Sequence, residues 1–557
     1  MTNIPDHTST LESAISAVRN RTFFAHWPEA PSGKIYGETA NADGEAAFKA
    51  HLGKPFTELL QNDAEPVGSE LSPWGFPLHI TYPSAKVDEL TEQARMAQAS
   101  WQRVPVRSRA MILIEALERA AQRFFEIGYA TMHTTGQGFV MAFQSSGPHA
   151  FDRALESVAL GVVAHETFSS SATWAKPMGK FEVHIQKHYR TIPKGINLVI
   201  GCSTFPVWNS LPGIFAGLIT GSSVIVKPHP MAVLPIAIIV AEIQKTLRDV
   251  GVHPLTIQLA ADSADNPVAL KLLEHPAIQV VDYTGGPAFG NIVEETARRL
   301  GKVVYSEKAG VNSVIIDSAD DLDAALDNLA FSVSLYSGQM CTAPQNIYIP
   351  AEGVMVKGAL IPAGDVAERL KVKIDTLVGN PKMGPGTLGT IQNPATAQRV
   401  ADARTTGLPV LRDSAEVGQA GFDTARTASP LLLMATAADA ATYHREWFGP
   451  ISFVITAQSF GDAVREVAAT VREAGALSVL IYTTDPDKAE QSEQVLVSAG
   501  APVAYNFNSF VWVNQSAAYS DFHGTGANPA GTASYSDLGY ITGRYHVVGV
   551  RKQAASA

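Results

Sequence analysis

An α/β fold built on a doubly wound, parallel sheet is what this sequence predicts, and three features predict it. Ile196-Asn197-Leu198-Val199-Ile200 is almost continuously apolar, as a strand covered on both faces requires. From there to Ser306, strand-like and helix-like patterns alternate. A glycine cluster, Thr284-Gly285-Gly286-Pro287-Ala288-Phe289-Gly290, falls between a strand and a helix, at the end of the sheet where such folds take ligands.

The alternation runs Ile196–Ile200, a helix near Leu211–Leu218, Val224–Val226, a helix near Pro235–Leu247, Thr256–Leu259, a short helix, Gln279–Asp282, a helix near Gly290–Leu300, and Lys302–Ser306. Before it, Ala85–Ala121 carries Trp101, Met111, Ile112, Ile114 and Leu117 at helical spacings. Phe181-Glu182-Val183-His184-Ile185 alternates and predicts an exposed ribbon. Positions 1–80 mix Gly, Pro and polar residues and read as an irregular arm. The expected organisation is that arm, a cofactor domain over 81–178 and 192–306, a mixed α/β catalytic domain over 307–513, and a ribbon and tail over 179–191 and 514–557.

Composition narrows the function. With 557 residues, 46% of them apolar, the chain supports two or three domains with shared cores. Its 42 basic and 53 acidic residues give a formal charge of −11 without blocks of like charge, which argues against nucleic acid and anionic membrane as partners. The longest apolar run, Met231–Ala241, is too short for a bilayer and contains Pro235. No secretory signal is seen at the start, and two cysteines, Cys202 and Cys341, suit a reducing cytoplasm. Metal motifs are lacking, and His184 and His188 lie in a strand-like run, so no metal is expected.

One cysteine in such a chain is commonly a small buried hydrophobe. Cys341 stands out through its setting, Tyr336-Ser337-Gly338-Gln339-Met340-Cys341-Thr342-Ala343-Pro344, and through Glu307, 34 positions earlier at the end of a strand-like run. A thiol can attack a carbonyl near neutral pH, and a separate carboxylate can activate the water that releases the captured group. The glycines of Thr284–Gly290 permit close backbone approach, and the helix they open favours a pyrophosphate, although a plain strand-to-helix turn would look the same. Lys227, in Val226-Lys227-Pro228-His229-Pro230, ends a buried strand.

The Gly-Gln-x-Cys segment, Glu307 at this spacing and Glu446-Trp447-Phe448-Gly449-Pro450 together resemble the NAD(P)-dependent aldehyde dehydrogenase superfamily, from about Thr81 to about Arg551. Phe24-Ala25-His26-Trp27-Pro28-Glu29 and Lys34-Ile35-Tyr36-Gly37-Glu38-Thr39 look like its phenylacetate-degradation (PaaN-type) branch. The resemblance implies an aldehyde dehydrogenase-like fold with a Rossmann-like cofactor domain, a catalytic domain and an oligomerisation ribbon, in a homodimer or homotetramer. It implies NAD or NADP as cofactor, bound by Ser203, Lys227, Pro230, Thr284, Gly285, Gly286, Gly290, Glu446 and Phe448. Lys227 would bond the adenosine ribose, Glu446 the nicotinamide ribose, and Phe448 would pack beside the nicotinamide. Many NAD-preferring relatives have a Glu where this chain has Pro230; without that charge NADP should be admitted and even preferred.

By the same resemblance Cys341 is the nucleophile and Glu307 the base for release of a thioester as carboxylic acid. The family's second oxyanion donor is an Asn in Trp-Asn-Phe-Pro, 23 positions before the lysine. That register lands on Thr204, in Cys202-Ser203-Thr204-Phe205-Pro206, and makes Thr204 the expected substitute beside the Cys341 backbone N–H, with Trp208-Asn209 out of register and structural. Cys202 is expected to pack at a strand end. The branch implies a semialdehyde from aromatic degradation, either free or CoA-linked. Two rivals stand beside this reading: a CoA-acylating dehydrogenase, which retention of Glu307 opposes, and a non-catalytic protein that keeps the fold, which Thr204 motivates.

Overall fold

The structure, a computed structural model, describes residues 4–61, 65–509, 511–514 and 517–553. Positions 1–3 and 62–64 of the arm, 510 of the expected catalytic domain, and 515–516 and 554–557 of the tail lie outside them.

Five parallel strands form the first sheet, in the order Ile257–Leu259, Val224–Lys227, Ile196–Ile200, Ile278–Gly285, Val303–Lys308. Burial of Val224–Lys227 and Ile196–Ile200 at every position explains their unbroken apolar character. The helices Pro206–Ile219 and Leu234–Asp249 cover the sheet and carry proline in the first turn, where a missing N–H costs nothing. Strand order reverses between Ile196–Ile200 and Ile278–Gly285, and the crevice beyond the carboxyl ends at that reversal is where doubly wound sheets bind ligands. Register places Lys227, Ile200, Tyr283 and Ser306 along one row across four strands, with Thr284 opposite Glu307 one step further. Glu307 is thus the next-to-last residue of a strand of the first sheet, at the end of the strand-like run seen in the sequence, although the domain division had started the following unit there.

The second sheet has seven strands: Val410–Arg412, Leu431–Thr436, Ile451–Ala457, Pro344–Pro350, Asn312–Ile316, Val479–Tyr482 and Val503–Tyr505, parallel but for the first. A third, antiparallel sheet joins Ser171–Met178, Phe181–Pro193 and Tyr545–Gln553. This ribbon takes in Ser171–Met178, which the sequence reading had given to the preceding unit. All of Ser171–Met178 is exposed, as are Phe181, Val547 and Val548.

The arm differs from its expected irregular character. It carries helices Thr8–Asn20, Gly33–Tyr36 and Ala40–His51, and Leu11, Ala14, Ile15, Trp27 and Phe48 are buried in the largest core. His26 Nε2 lies 2.6 Å from Glu118 Oε1, and the His26 N–H donates to Asp152 Oδ1 at 3.0 Å. A narrow apolar stripe and polar anchoring fix the arm without a long hydrophobic pattern. The tail also folds back: Tyr519, Tyr535, Tyr540, Ile541 and Arg544 are buried, and Arg544 makes a two-pronged pair with Asp282 at 2.8 and 2.6 Å.

Candidate active site

Cys341 follows helix Leu322–Ser334 and a sharp turn, Leu335–Gly338. Tyr336, Ser337 and Gly338 have φ of 51°, 49° and 64°, a run of left-handed backbone that non-glycine residues adopt only when their surroundings enforce it. The enforcement is visible. Tyr336 Oη donates to the Thr135 carbonyl, and Ser337 Oγ reaches the Leu388 and Ala428 carbonyls at 3.0 and 2.9 Å. Gln339 Nε2 donates to the Thr390 carbonyl at 2.9 Å while its Oε1 accepts from the Gln392 N–H at 2.8 Å. Beyond the turn, Asn312 Nδ2 holds the carbonyls of Cys341 and Ala343 at 2.8 and 3.0 Å. Any Cβ on Gly338 would run into the Gly449 carbonyl. The glycine of the first motif is thus required by its contact with the second.

Glu307 and Cys341 are brought to one point together with a third group, His523 from the tail. His523 Nε2 stands 3.7 Å from Cys341 Sγ and 2.9 Å from Glu307 Oε1, and Glu307 and His523 are 2% and 6% exposed. The tail is fixed against this strand: the Lys308 N–H donates to the Ala530 carbonyl at 2.6 Å and the Thr532 N–H to the Ser306 carbonyl at 3.0 Å. Burial pushes the Cys341 thiol well above its ordinary range, and the Glu307 carboxylate and Cys202 push it the same way. Its own backbone N–H faces the sulfur and opposes them weakly.

Thr204 lies in the bend between Ile196–Ile200 and helix Pro206–Ile219, with Ser203 before it, both half-buried. Its carbonyl accepts from Gln137 Nε2 at 2.8 Å, and its hydroxyl faces the Cys202 thiol. Asn209 Nδ2 is also turned to Cys202, 3.7 Å from Sγ. Burial raises the Cys202 thiol to about 11, with the Phe205 N–H and Thr204 offsetting part of it. Trp208 has a different place: its ring meets His523 edge-on at 4.4 Å and walls it on that side.

Among the expected cofactor residues, Lys227 is buried at its strand end, ion-paired with Asp262 Oδ1 at 2.5 Å and donating to the Pro228 carbonyl at 2.8 Å. Burial lowers its pKa and Asp262 offsets part of that. Pro230 is half-buried three positions on. Thr284 and Gly285 end their strand, and Gly286 caps helix Pro287–Arg299, its exposed amide end open for an anion. Gly290 is buried where a Cβ would meet the Lys308 side chain at 2.7 Å. Glu446 and Phe448 line a cavity shared with Gly338, Met340 and Asn312. Burial raises the Glu446 carboxyl to about 7, opposed by Arg399. An open amide end, a buried strand-end lysine and a carboxylate in a small cavity lined also by Gly338 and Met340 fit the phosphate and hydroxyl groups of a dinucleotide.

The sequence reading missed His523, Asp262 and Asn312, and gave Trp208 a structural role without its place against His523. His523 lies 182 positions from Cys341 in a Gly- and Ser-rich tail with no motif around it, and only the folded tail brings it in.

A doubly wound sheet, a thiol and a carboxylate brought together at its carboxyl edge, and a second α/β unit are the architecture of an α/β dehydrogenase. The chain belongs to the aldehyde dehydrogenase family, whose model matches residues 81–531, and it is an aldehyde-oxidising enzyme. It is similar to an NAD-dependent aldehyde dehydrogenase from Burkholderia multivorans, 43% identical over 99% of both chains with a TM-score of 0.96. Benzaldehyde dehydrogenase [NAD(+)] of Pseudomonas putida is 23% identical over 379 residues, 68% of this chain and 72% of that one. The NADP-dependent glyceraldehyde-3-phosphate dehydrogenase of Bacillus halodurans C-125, complexed with NADP, shares the fold at 19% identity and a TM-score of 0.67, over 89% of this chain and 100% of that one. Among the described residues no helix is long and apolar enough to cross a membrane.

Proposed function

We propose that the enzyme converts an aldehyde to its carboxylic acid through a thioester on Cys341, with Glu307 as the base for release. The convergence of the Cys341 thiol and the buried Glu307 carboxylate, beside the Glu446 cavity, supports this most. A bound nicotinamide dinucleotide, held by Lys227, the turn of Thr284, Gly285, Gly286 and Gly290, Glu446 and Phe448, with Ser203 and Pro230 at its edge, supplies the hydride acceptor. The protein's own work is to attack, hold and release. Cys341 sulfur bonds to the carbonyl carbon, and the Cys341 N–H stabilises the resulting oxyanion. Thr204 joins it as the second donor by turning its hydroxyl from Cys202. Glu307 then takes a proton from water, whose oxygen attacks the thioester carbon as sulfur leaves.

The proposed substrate is a semialdehyde from phenylacetate or related aromatic breakdown, free or CoA-linked, on the resemblance of the arm. NADP is proposed to bind at least as well as NAD, because Pro230 brings no charge and Asp262 is neutralised by Lys227. The ribbon's exposed apolar side chains, Phe181, Val547 and Val548, support a homodimer or homotetramer. A cytoplasmic setting is proposed because the chemistry needs Cys341 reduced. The test is a screen of aliphatic, aromatic and CoA-linked aldehydes against NAD and NADP, with and without free CoA, reading products by mass. Free acid without added CoA supports the account; acyl-CoA formed only when CoA is added would replace it with an acylating dehydrogenase.

A further inference from the structure

We propose that His523 is a further catalytic residue, the base that takes the Cys341 thiol proton as sulfur attacks the aldehyde. The inference rests on Cys341 as nucleophile and adds the group that makes it one.

The need is physical. Among the described residues, the titratable groups facing the thiol are Glu307, Cys202 and His523. Glu307 and Cys202 both disfavour a thiolate, as does burial, so an unassisted Cys341 would be a neutral, weak nucleophile at neutral pH. A positive partner is what reverses this, and imidazole is the side chain whose ordinary charge change falls nearest neutrality. His523 Nε2 has the reach: it hydrogen-bonds Cys341 Sγ at 3.7 Å. Glu307 Oε1 lies 2.9 Å from the same nitrogen without an aligned hydrogen bond to it, the Glu307 side chain also meets the Cys341 thiol, and His523 Nδ1 is buried with no partner among the described residues.

His523 is also held for the task. Trp208 packs on its ring at 4.4 Å, with the Arg153 guanidinium 5.4 Å from the other ring. The preceding loop is fixed by the Tyr519 N–H donating to Glu156 Oε1 at 3.1 Å, by Phe24 against Tyr519 at 5.2 Å and by Arg21 over Phe522 at 4.1 Å. The arm thereby braces the loop that carries the base.

The step balances without a co-reactant. The S–H bond breaks, its electron pair stays on sulfur and forms the S–C bond, and the proton goes to the Nε2 lone pair. The imidazolium is stabilised by the Glu307 carboxylate. At release it returns its proton to sulfur as the thioester's C–S bond breaks, while Glu307 handles the water proton.

The test is the pH dependence of Cys341 alkylation by iodoacetamide, read as mass on the Cys341 peptide with Cys202 as internal reference. No aldehyde turnover is needed, so a failure here and a failure of the dehydrogenase reading are separable: the latter shows in the aldehyde screen. In the parent protein, alkylation should rise with a midpoint below about pH 8. A single rise with its midpoint above about pH 9 would overturn the proposal, and this measurement needs no variant to fold. In His523→Gln, with NAD(P) affinity kept, the midpoint should move up by about one unit or more, with alkylation at pH 7 about tenfold slower. An unchanged profile in that variant would also overturn it.

Discussion

Burial at Glu446 has a consequence with a definite sign. Its carboxyl is raised to about 7 from 4.5, so the folded protein disfavours its ionised form. The resulting loss of stability begins as pH rises above 4.5 and is complete above 7, amounting to about 2 kcal/mol at a half-buried site. Glu446→Gln should therefore match the parent at pH 4 and exceed it by about that amount at pH 8 in urea unfolding, while losing cofactor affinity. For Pro230→Glu, restored charge should weaken NADP selectively, as isothermal titration with both cofactors would show; equal losses for NAD and NADP would count against the account. Cys341→Ala should bind NAD(P) normally and show no aldehyde oxidation. Cys341, Glu307 and Glu446 were legible because their motifs carry backbone demands: Gly338 has room for no Cβ against Gly449. His523 and Asp262 were not, since nothing local marks them and their roles exist only across 182 and 35 positions of intervening chain.

Among the elements, the turn Leu335–Gly338 carries the strain. Gly338→Ala sets a Cβ against the Gly449 carbonyl at a φ of 64°, so the cost should be at least about 1–3 kcal/mol. Thermal unfolding would report it, and slower Cys341 alkylation would show that the thiol has moved too. The strands of the first sheet were readable within three residues at each end because double-sided burial leaves continuous apolar runs such as Ile196–Ile200. Thr8–Asn20 escaped because its buried stripe, Leu11, Ala14, Ile15 and Ala17, is short and made partly of alanine among Ser, Thr and Asn. Ser171–Met178 escaped for the opposite reason: an exposed strand shows no alternation of burial to read.

Across the whole molecule, the tail is the fastening that completes the site. Its Gly-, Ser- and Tyr-rich sequence hides this, because it is ordered by hydrogen bonds rather than by an apolar period. Asn528 Nδ2 donates to the Ala476 and Gly500 carbonyls at 3.0 and 2.8 Å, and Tyr540 Oη joins Arg544 on Asp282 at 2.8 Å. Arg544→Leu should strand the buried Asp282 carboxylate and cost about 3–5 kcal/mol in urea unfolding, with most of it recovered in Asp282→Leu/Arg544→Leu. A single variant within about 1 kcal/mol of the parent would contradict this reading of the tail.

Three segments far apart in the chain, ending at Glu307, Cys341 and His523, must meet for a thioester to form and be released, and Glu307→Gln tests that most directly. Glutamine keeps the size and removes the base. Rapid mixing with aldehyde and NAD(P) should give a burst of NAD(P)H approaching one equivalent per site, then very slow turnover, with an acyl adduct on the Cys341 peptide that hydroxylamine relieves. Normal steady-state hydrolysis in this variant would contradict the account.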